Sequence, residues 1–479
     1  MNSDGTIVKI LNYIRDSLMT VLFALLVWLS FYQMSYIGTA AIGVLALYLV
    51  LCYVTKEPLL PEKIAKFPLL ILIALGALTH ITTMVHPLGP ELIFEYVYFT
   101  VNIIFPVSIA ALFMARPSTI TVFIRQLKAL SWILIVYAFY ESRTRTNILG
   151  PYYDESYIWQ LTQYGRMLSV FSHPIICAYA FAFMFVAGLF VPYRFKIVTL
   201  AYELLTFVCI ILTRARTSLV ALAAVFMLWL VNMAVKGIRR RNDLKRTKRE
   251  RAVSTENCAS DTEVSAKTGT SDFDGPKKRK SILLVLAPYV AIVGAACVAA
   301  VIFADRIKQF AGEYYQRIVD GFTGQDQGVR VEVIKNSLGF FHDSSWSNRL
   351  FGYGSRIADA YFMKELPALG WWDSTTDNMY VTFVIDEGLV GLALFGLIIL
   401  FAVVALFCNK SHMKEQEGAM TRASWTEFGA YFVIYTAVSL FFFEGLYWPV
   451  VCFLFMVSLF MIRPVKKDKE IEQGEEKGE

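Results

Sequence analysis

LFGYGS (residues 350–355) and TTDNMYVTFVIDEGLVG (residues 375–391) close a stretch that begins at Asp305 and ends inside an apolar segment. Between Asp305 and Gly391 the chain leaves one apolar run, crosses a long polar loop, and enters the next apolar run through these two motifs. A polar loop of this length between two apolar runs fixes the reading of its surroundings. The flanking segments are membrane helices, and the remaining helices hold the loop at a membrane surface.

The composition agrees. The 479 residues are 56% hydrophobic and 15% aromatic, with only 18% charged, where a soluble domain carries about 25%. Mean hydropathy is +0.52. Apolar runs long enough to cross the hydrocarbon layer recur along the chain, at 17–35, 36–54, 67–85, 94–115, 129–141, 172–192, 197–213, 217–235, 281–304, 380–408, 427–444 and 447–463. The fifth is short, and its start falls nearer Thr121. The expected fold is an all-α polytopic membrane protein of about twelve transmembrane helices, with one large extracytoplasmic helical loop.

The expected organisation follows from these runs. Residues 1–235 carry helices 1–8 with an outer loop at 141–171, and 236–280 form a disordered basic cytosolic loop. Helix 9 spans 281–304, the large outer loop 305–379, helices 10–12 lie within 380–463, and 464–479 form a cytosolic tail. Orientation comes from Lys and Arg in the short loops. An inside N-terminus puts KEPLLPEKIAK (56–66), ARPSTITVFIRQLK (115–128), PYRFK (192–196), 236–280, 409–426 and the tail from Arg463 in the cytosol. Each of these carries cations, and the opposite assignment would send RRRNDLKRTKRER (239–251) and KKRK (277–280) across the membrane. Both termini are therefore expected inside. Ser17 onward reads as a retained first helix, since no small-residue cleavage site follows it. The insert 236–280 has too few apolar residues to fold alone and reads as a solvated linker near anionic headgroups. The formal charge of +6 matters only through this distribution. Six of the seven cysteines lie in apolar runs and Cys258 lies in the basic insert, so neither disulfides nor a Cys/His metal cluster is expected.

Three outer segments run against the charge rule. ESRTRTNILGPYYDESYIWQLTQYGRM (141–167) carries Arg143, Arg145 and Arg166, and the turn TRART (213–217) carries Arg214 and Arg216. The third is the long loop 305–378, where Arg330 and seven other cations are offset by carboxylates. In that loop Ile307, Phe310, Tyr314, Ile318 and Phe322 recur at helical spacing, as do Val331, Ile334, Leu338 and Phe341. They read as two amphipathic helices near the surface, followed by a bend at Gly352 and Gly354.

Ionisable groups at membrane depth are costly and mark sites. The candidates are Arg166, His173, Arg214, Arg216, Arg330, Arg349, Asp377, Asp386 and Glu387. No Walker loop, HExxH, dinucleotide fingerprint or triad spacing is present, and the outer loops lack the DxD pair of soluble nucleotide-sugar transferases. Guanidinium forks suit phosphate. Outside the cytosol the phosphate at hand is the diphosphate joining a polyprenol to a sugar. Arginines stabilise such a leaving group without a metal, and a carboxylate or imidazole serves the attacking hydroxyl. Plainer readings stand beside these: Arg214 and Arg216 as interface anchors, Arg166 likewise, Arg330 paired with Glu332 or Asp326, His173 as a helix-start packing residue, Asp386 and Glu387 as helix caps. The glycine bend reads either as a simple turn or as a backbone cradle for substrate.

GRMLSVFSHP (165–174), ILTRARTSLVALAAVF (211–226), GVRVEVIKNSL (328–338), NRLFGYGS (348–355) and DNMYVTFVIDEGLVGLALF (377–395) together resemble the O-antigen polymerase and ligase family of bacterial envelopes. The resemblance covers roughly 160–400 and rests on the order and spacing of motifs that are weak singly. It implies a GT-C-like membrane glycosyltransferase, inverting and metal-independent, without a cofactor. By this resemblance the arginines fall on Arg214 or Arg216 and on Arg330, and the family's usual histidine falls on Asp377, which suits the polymerase branch. The implied site has Asp377 and Arg330 as catalytic residues, with Arg166, Arg214, Arg216 and Glu387 binding the diphosphate and glycan. The implied partners are an undecaprenyl-diphosphate-linked oligosaccharide and the bilayer, with a chain-length regulator and a flippase as candidates and no nucleic acid. The implied location is the bacterial inner (plasma) membrane. Transfer to a different acceptor, as in a ligase, and a flippase of lipid-linked oligosaccharides are the competing readings.

Overall fold

The structure is a computed structural model that describes residues 3–61, 66–85, 94, 96–153, 155–259, 312, 328–358, 376–408 and 422–462. The described residues are helical throughout, with no strand. The chain divides into two compact units, one of Met1–Asn232 with Val333–Glu479, the other Met233–Glu332.

In chain order the helices are α1 (Ser3–Tyr32), α2 (Ile37–Val54), α3 (Lys66–Val85), a π-helical turn (Tyr96–Ile104) that runs into α4 (Phe105–Met114), and α5 (Pro117–Thr144). They continue as α6 (Glu155–Tyr164), α7 (Pro174–Phe190), α8 (Lys196–Leu212) and α9 (Arg216–Ala259). Within the stretch 305–378 lie α10 (Gly328–Asp343) and α11 (Trp346–Phe351), and after it come α12 (Met379–Asp386), α13 (Gly388–Cys408), α14 (Arg422–Ser439) and α15 (Pro449–Met461).

Seven of these segments are long and apolar enough to cross a membrane: Thr6–Tyr32, Met34–Val54, Lys66–Val85, Tyr96–Met114, Pro117–Thr144, Arg216–Arg239 and Gly388–Cys408. The chain is a membrane-embedded helical protein. Helices α7 and α15 are shorter for a physical reason. Every residue of α15 is buried, as are most of α7, and a helix that is apolar on all sides belongs in a core. α15 packs on α1, α4, α7 and α14, so it is the central post of the first unit. Phe453 of this helix meets Phe123 edge-to-face with centroids 6.0 Å apart, Phe123 meets Phe183 at a tilt, and Phe183 meets Phe428 and Phe432 edge-to-face. The lipid-facing helices instead leave large apolar side chains exposed, such as Val50, Ile73, Ile133 and Val136.

Three differences from the sequence reading have physical causes. The fifth helix starts at Pro117, since proline is favoured in the first turn where its missing N–H has no partner to lose. The tenth span is two helices, α12 and α13, broken at Glu387–Gly388. The insert expected to be disordered from residue 236 is helical as far as Ala259. Arg, Lys, Glu and Leu are strong helix formers, and no proline or glycine follows Gly237 before that point. The expected span 281–304, the stripe 307–322, the rest of the insert and the tail lie outside the described residues.

The two ends of the first unit differ. One end gathers Arg15, Asp16, Glu57 and Arg116: Arg15 pairs with Asp16 at 3.0 Å, and Arg116 donates to the Pro58 carbonyl. The other end collects the loops 145–173, 213–216, 344–358, 376–378 and 440–448, and holds the candidate site.

Candidate functional site

The floor of this end is the break between α12 and α13. Asn378 starts α12 by accepting from the Tyr380 and Val381 N–H groups through Oδ1 (3.0 and 3.3 Å). Gly388, at φ +67°, stops it. The break leaves the Ile385 and Asp386 carbonyls without helical partners, and the LFGYGS motif supplies them. Tyr353 N–H donates to Ile385 O (3.0 Å) and Gly354 N–H to Asp386 O (2.8 Å). Gly352, at φ +79°, lies against that backbone so closely that a Cβ would overlap the Asp386 carbonyl. The Asp386 side chain, fully buried, continues the clasp. It accepts from Arg356 N–H (2.8 Å), Ala358 N–H (2.9 Å) and the Tyr447 hydroxyl (2.8 Å). Ser355 N–H donates to Thr83 Oγ1 (3.1 Å), and its hydroxyl meets Thr100 Oγ1 at 2.6 Å. These donors serve the protein itself, so the bend is a docking segment and not a backbone cradle for substrate.

The arginine loops sit beside it. Residues 165–172 hang from Glu141 of α5, fully buried, whose two oxygens accept Leu168 N–H and Ser169 N–H at 2.7 Å each. Tyr153 Oη and Asn147 Nδ2 both donate to the Ser169 carbonyl (2.9 Å). Burial pushes the Tyr153 hydroxyl far above the usual phenol range, which keeps it a donor. Glu141→Ala is expected to strip two buried N–H groups of their acceptor, at about 1–3 kcal/mol each. Faster trypsin cleavage at Arg166, with Glu141→Gln intermediate, is the measurement.

Two arginines meet here, with Arg166 on the same loop. Arg145 Nε and Arg214 Nη2 each come within 3.9 Å of the point where a Gly165 side chain would begin. Arg145 Nη1 donates to Thr162 O (3.4 Å), and Arg166 Nη1 to Gln160 Oε1 (2.7 Å). Met167 N–H donates to Leu212 O, which ties this loop to the turn bearing Arg214. Arg216 opens α9 two residues on, half-buried.

Next comes an aromatic step. His173 caps α7, its Nδ1 accepting Ile175 N–H at 3.2 Å, so it acts as the helix-start residue that its place before Pro174 suggests. Its ring meets Trp448, centroids 5.6 Å apart. Beyond the adjacent Tyr447, the Arg356 guanidinium lies 4.6 Å from the Tyr447 ring and 4.2 Å from the Phe99 ring.

Asp377 enters through Glu444. One Glu444 oxygen accepts Thr376 N–H (3.0 Å), Thr376 Oγ1 (2.6 Å) and the Thr382 hydroxyl. Met379 N–H donates to Leu440 O (2.9 Å). With Thr376 and Asn378 both tied down, Asp377 is held half-buried at φ +48°. Glu387, also buried, is set against Thr79 of α3 and over Gly391; its Oε2 has no hydrogen-bond partner among the described residues.

Arg166, Arg214, Arg216, Asp377 and Glu387 thus fall at one end of the unit. Arg330 lies in α10, its side chain outside the described residues. Arg349, another candidate, turns back on its own loop and donates to the Ser344 and His342 carbonyls. Arg356, Tyr447, Glu444 and Gln160 were not singled out by the sequence. Arg356 directly follows the glycine motif, and Tyr447 and Trp448 precede Pro449, which are the only signals available.

Backbone conformation marks the same region. Among the described residues, seven other than glycine have positive φ: Lys56, Arg145, Ser169, Ser172, Arg214, Arg356 and Asp377. Six of the seven belong to this end, and three of the six are arginines. Left-handed conformation is unfavourable for such side chains and persists where the surroundings impose it, as at functional sites.

These features define a membrane-embedded helical bundle with a cation-rich polar region at one end. Neither the family models nor the curated proteins searched include a match to this chain.

Proposed function

We propose that the chain is a polysaccharide polymerase, a metal-independent inverting glycosyltransferase of the membrane. The reading takes its substrates from the resemblance and its chemistry from the site. It places about twelve spans in a GT-C-like arrangement in a bacterial cell membrane, with both termini in the cytosol and the arginine end outside. The donor is a glycan on undecaprenyl diphosphate, and the acceptor is a single lipid-linked repeat unit.

The observation that carries the reading is the meeting of Arg145 and Arg214 at Gly165, next in the chain to Arg166, with Asp377 held at the same end. In the reaction an acceptor hydroxyl oxygen attacks the donor's anomeric carbon. The bond from that carbon to the diphosphate oxygen breaks on the opposite face, which inverts the centre. The electron pair leaves with the diphosphate, where arginines meet the added charge. The hydroxyl proton passes to Asp377 and then to water. Arg216 and Arg330 share the diphosphate in this reading, and Glu387 lines the site.

A carrier of lipid-linked glycans is the rival from another class, and carriers do use broken helices to bind cargo. Here the break at Glu387–Gly388 is filled by the chain's own residues 352–358, so it offers no empty cargo site. The test is glycan length. In a strain lacking the gene, single repeat units on the envelope acceptor are expected, restored to long chains by the wild type and not by Arg166→Ala or Arg330→Ala at equal protein level. Long chains accumulating on the lipid carrier would instead indicate a ligase. Unchanged chains with both variants would end the proposal.

A further inference from the structure

One buried carboxyl of the first unit has no part in the chemistry above. Glu203 lies midway along α8, 8% exposed, and both its side-chain oxygens are buried without a hydrogen-bond partner among the described residues. Its seat is Gly188 of α7, where a Cβ would overlap Glu203 Oε1. The charged group that faces it is Lys128 of α5, itself only 4% exposed. Tyr193 and Tyr202 face it too, and α7 carries no charged residue.

Lys128 is turned elsewhere. Its Nζ donates to the Val191 carbonyl and lies 3.8 Å from the centre of the Tyr193 ring and 5.3 Å from that of Tyr202. Both rings are fixed: Trp132 Nε1 donates to Tyr193 Oη and Ser131 Oγ to Tyr202 Oη, each at 2.9 Å. Among the described residues no ion pair joins Lys128 to Glu203. These contacts decide where the protons of the pair sit. Aromatic faces attract an ammonium and not a neutral amine, so Lys128 keeps its charge. A carboxylate out of water, with no donor and no ion pair, is too costly to persist there, and a carboxylic acid is not.

We infer that Glu203 is a proton-binding site between the helices, loaded in this arrangement, with Lys128 as the counter-charge that takes over when the proton leaves. On release the Glu203 O–H bond breaks, its electron pair stays on the carboxylate, and the proton passes to water at the α7–α8 turn. The new carboxylate then draws the Lys128 ammonium away from Val191 and the rings. Val191 and Tyr193 both belong to that turn, so the state of Glu203 sets whether the turn is held. The turn joins the ends of α7 and α8 that lie opposite His173 and Arg214, and the inference does not rest on the polymerase reading.

The experiment treats purified full-length protein with dicyclohexylcarbodiimide, which adds to carboxylic acids held away from water. Adducts are mapped by mass spectrometry across pH, with thermal melting alongside. Glu203 is expected to label at neutral pH, falling about tenfold for each pH unit above its midpoint, as for a single titrating group. Lys128→Met, which removes the counter-charge, should keep Glu203 labelled to higher pH. Gly188→Ala, which crowds the carboxyl out of its seat and leaves both charged residues in place, should lower the labelling. Wild-type melting, relative to Glu203→Gln, should fall as pH rises to the midpoint, because the folded chain keeps a proton that the unfolded chain gives up. This melting difference decides the matter if the reagent does not enter. An unlabelled Glu203, with melting that depends on pH as it does in Glu203→Gln, would make the two residues a hydrated ion pair and overturn the inference. Labelling that Lys128→Met leaves unmoved across pH would overturn it as well.

Discussion

Replacing Arg214 by glycine is expected to leave the fold as stable as wild type, or more stable, and to abolish chain growth. Arg214 follows the last turn of α8, its N–H bonded to Ile211 O at 2.9 Å, with φ +55°. This is the place where helices commonly end in glycine, because a side chain there strains against the backbone. The strain costs an arginine about 1–2 kcal/mol. Glycine relieves it, offset by roughly 0.5–1 kcal/mol of extra freedom in the unfolded chain. If Arg214 only anchored the turn at the interface, losing its side chain would lower stability, and activity would fall in step. If it meets charge on a leaving diphosphate, activity should drop by about 10²–10³ while the melting temperature holds or rises.

Arg145, at φ +55° after α5, supplies an independent repeat of the same experiment. Arg214→Ala is the informative contrast, since alanine keeps the backbone strain and loses the charge. Melting temperature and glycan length, read together for the three variants, decide the matter. Long chains from Arg214→Gly would remove this arginine from the site. A fall in stability matching the fall in activity would make it an anchor.

How far the sequence reaches depends on the kind of force involved. Helix positions are legible because membrane helices satisfy their own backbone and announce themselves by apolar length. Their ends are legible wherever a local signal exists: Pro174 after His173, Asn378 before Tyr380, Pro449 after Trp448. The break inside the tenth span is not legible as a break. DEG at 386–388 looks like a cap, and only the distant carbonyl acceptors that it frees for residues 353 and 354 explain its shape. For the same reason the glycine bend admits a substrate-cradle reading from sequence, because glycine shows that backbones approach closely but not which backbone approaches. Arg356 escapes notice for a different reason. In a loop where cations and carboxylates nearly balance, charge counting hides one arginine whose ring partners, Phe99 and Tyr447, lie far away in the chain. The helix through residues 236–259 shows the limit of composition: a segment with little apolar surface to bury still forms helix from local propensity.

Asp386→Ala is expected to be the most destabilising single change at this end. The fully buried carboxylate holds two backbone N–H groups, Arg356 and Ala358, and the Tyr447 hydroxyl, all at 2.8–2.9 Å. Truncation removes the acceptor for three donors at once, one of them, the Ala358 N–H, buried and the other two partly so. Each unsatisfied donor costs about 1–3 kcal/mol, so a loss on the order of 3–5 kcal/mol follows once local relaxation is allowed for. Asp386→Asn keeps the shape and one acceptor oxygen, but its amide turns a donor toward the remaining donors. It should cost roughly half as much. The loss should be local before it is global. Gly354 N–H still has the Asp386 backbone carbonyl, and Tyr353 N–H still has Ile385 O, so the glycine bend stays docked while residues 355–358 open. Hydrogen exchange distinguishes this from general unfolding: amides 356 and 358 should lose protection by a larger factor than 353 and 354. Trypsin should also gain access to the bond after Arg356. Because Arg356 and Tyr447 share this carboxylate, its removal also frees the guanidinium from its rings. The asparagine variant, folded but loosened, should therefore lose activity beyond its loss of stability. An alanine variant with wild-type melting and protected amides at 356 and 358 would show that something other than Asp386 clasps the loop to the broken helix.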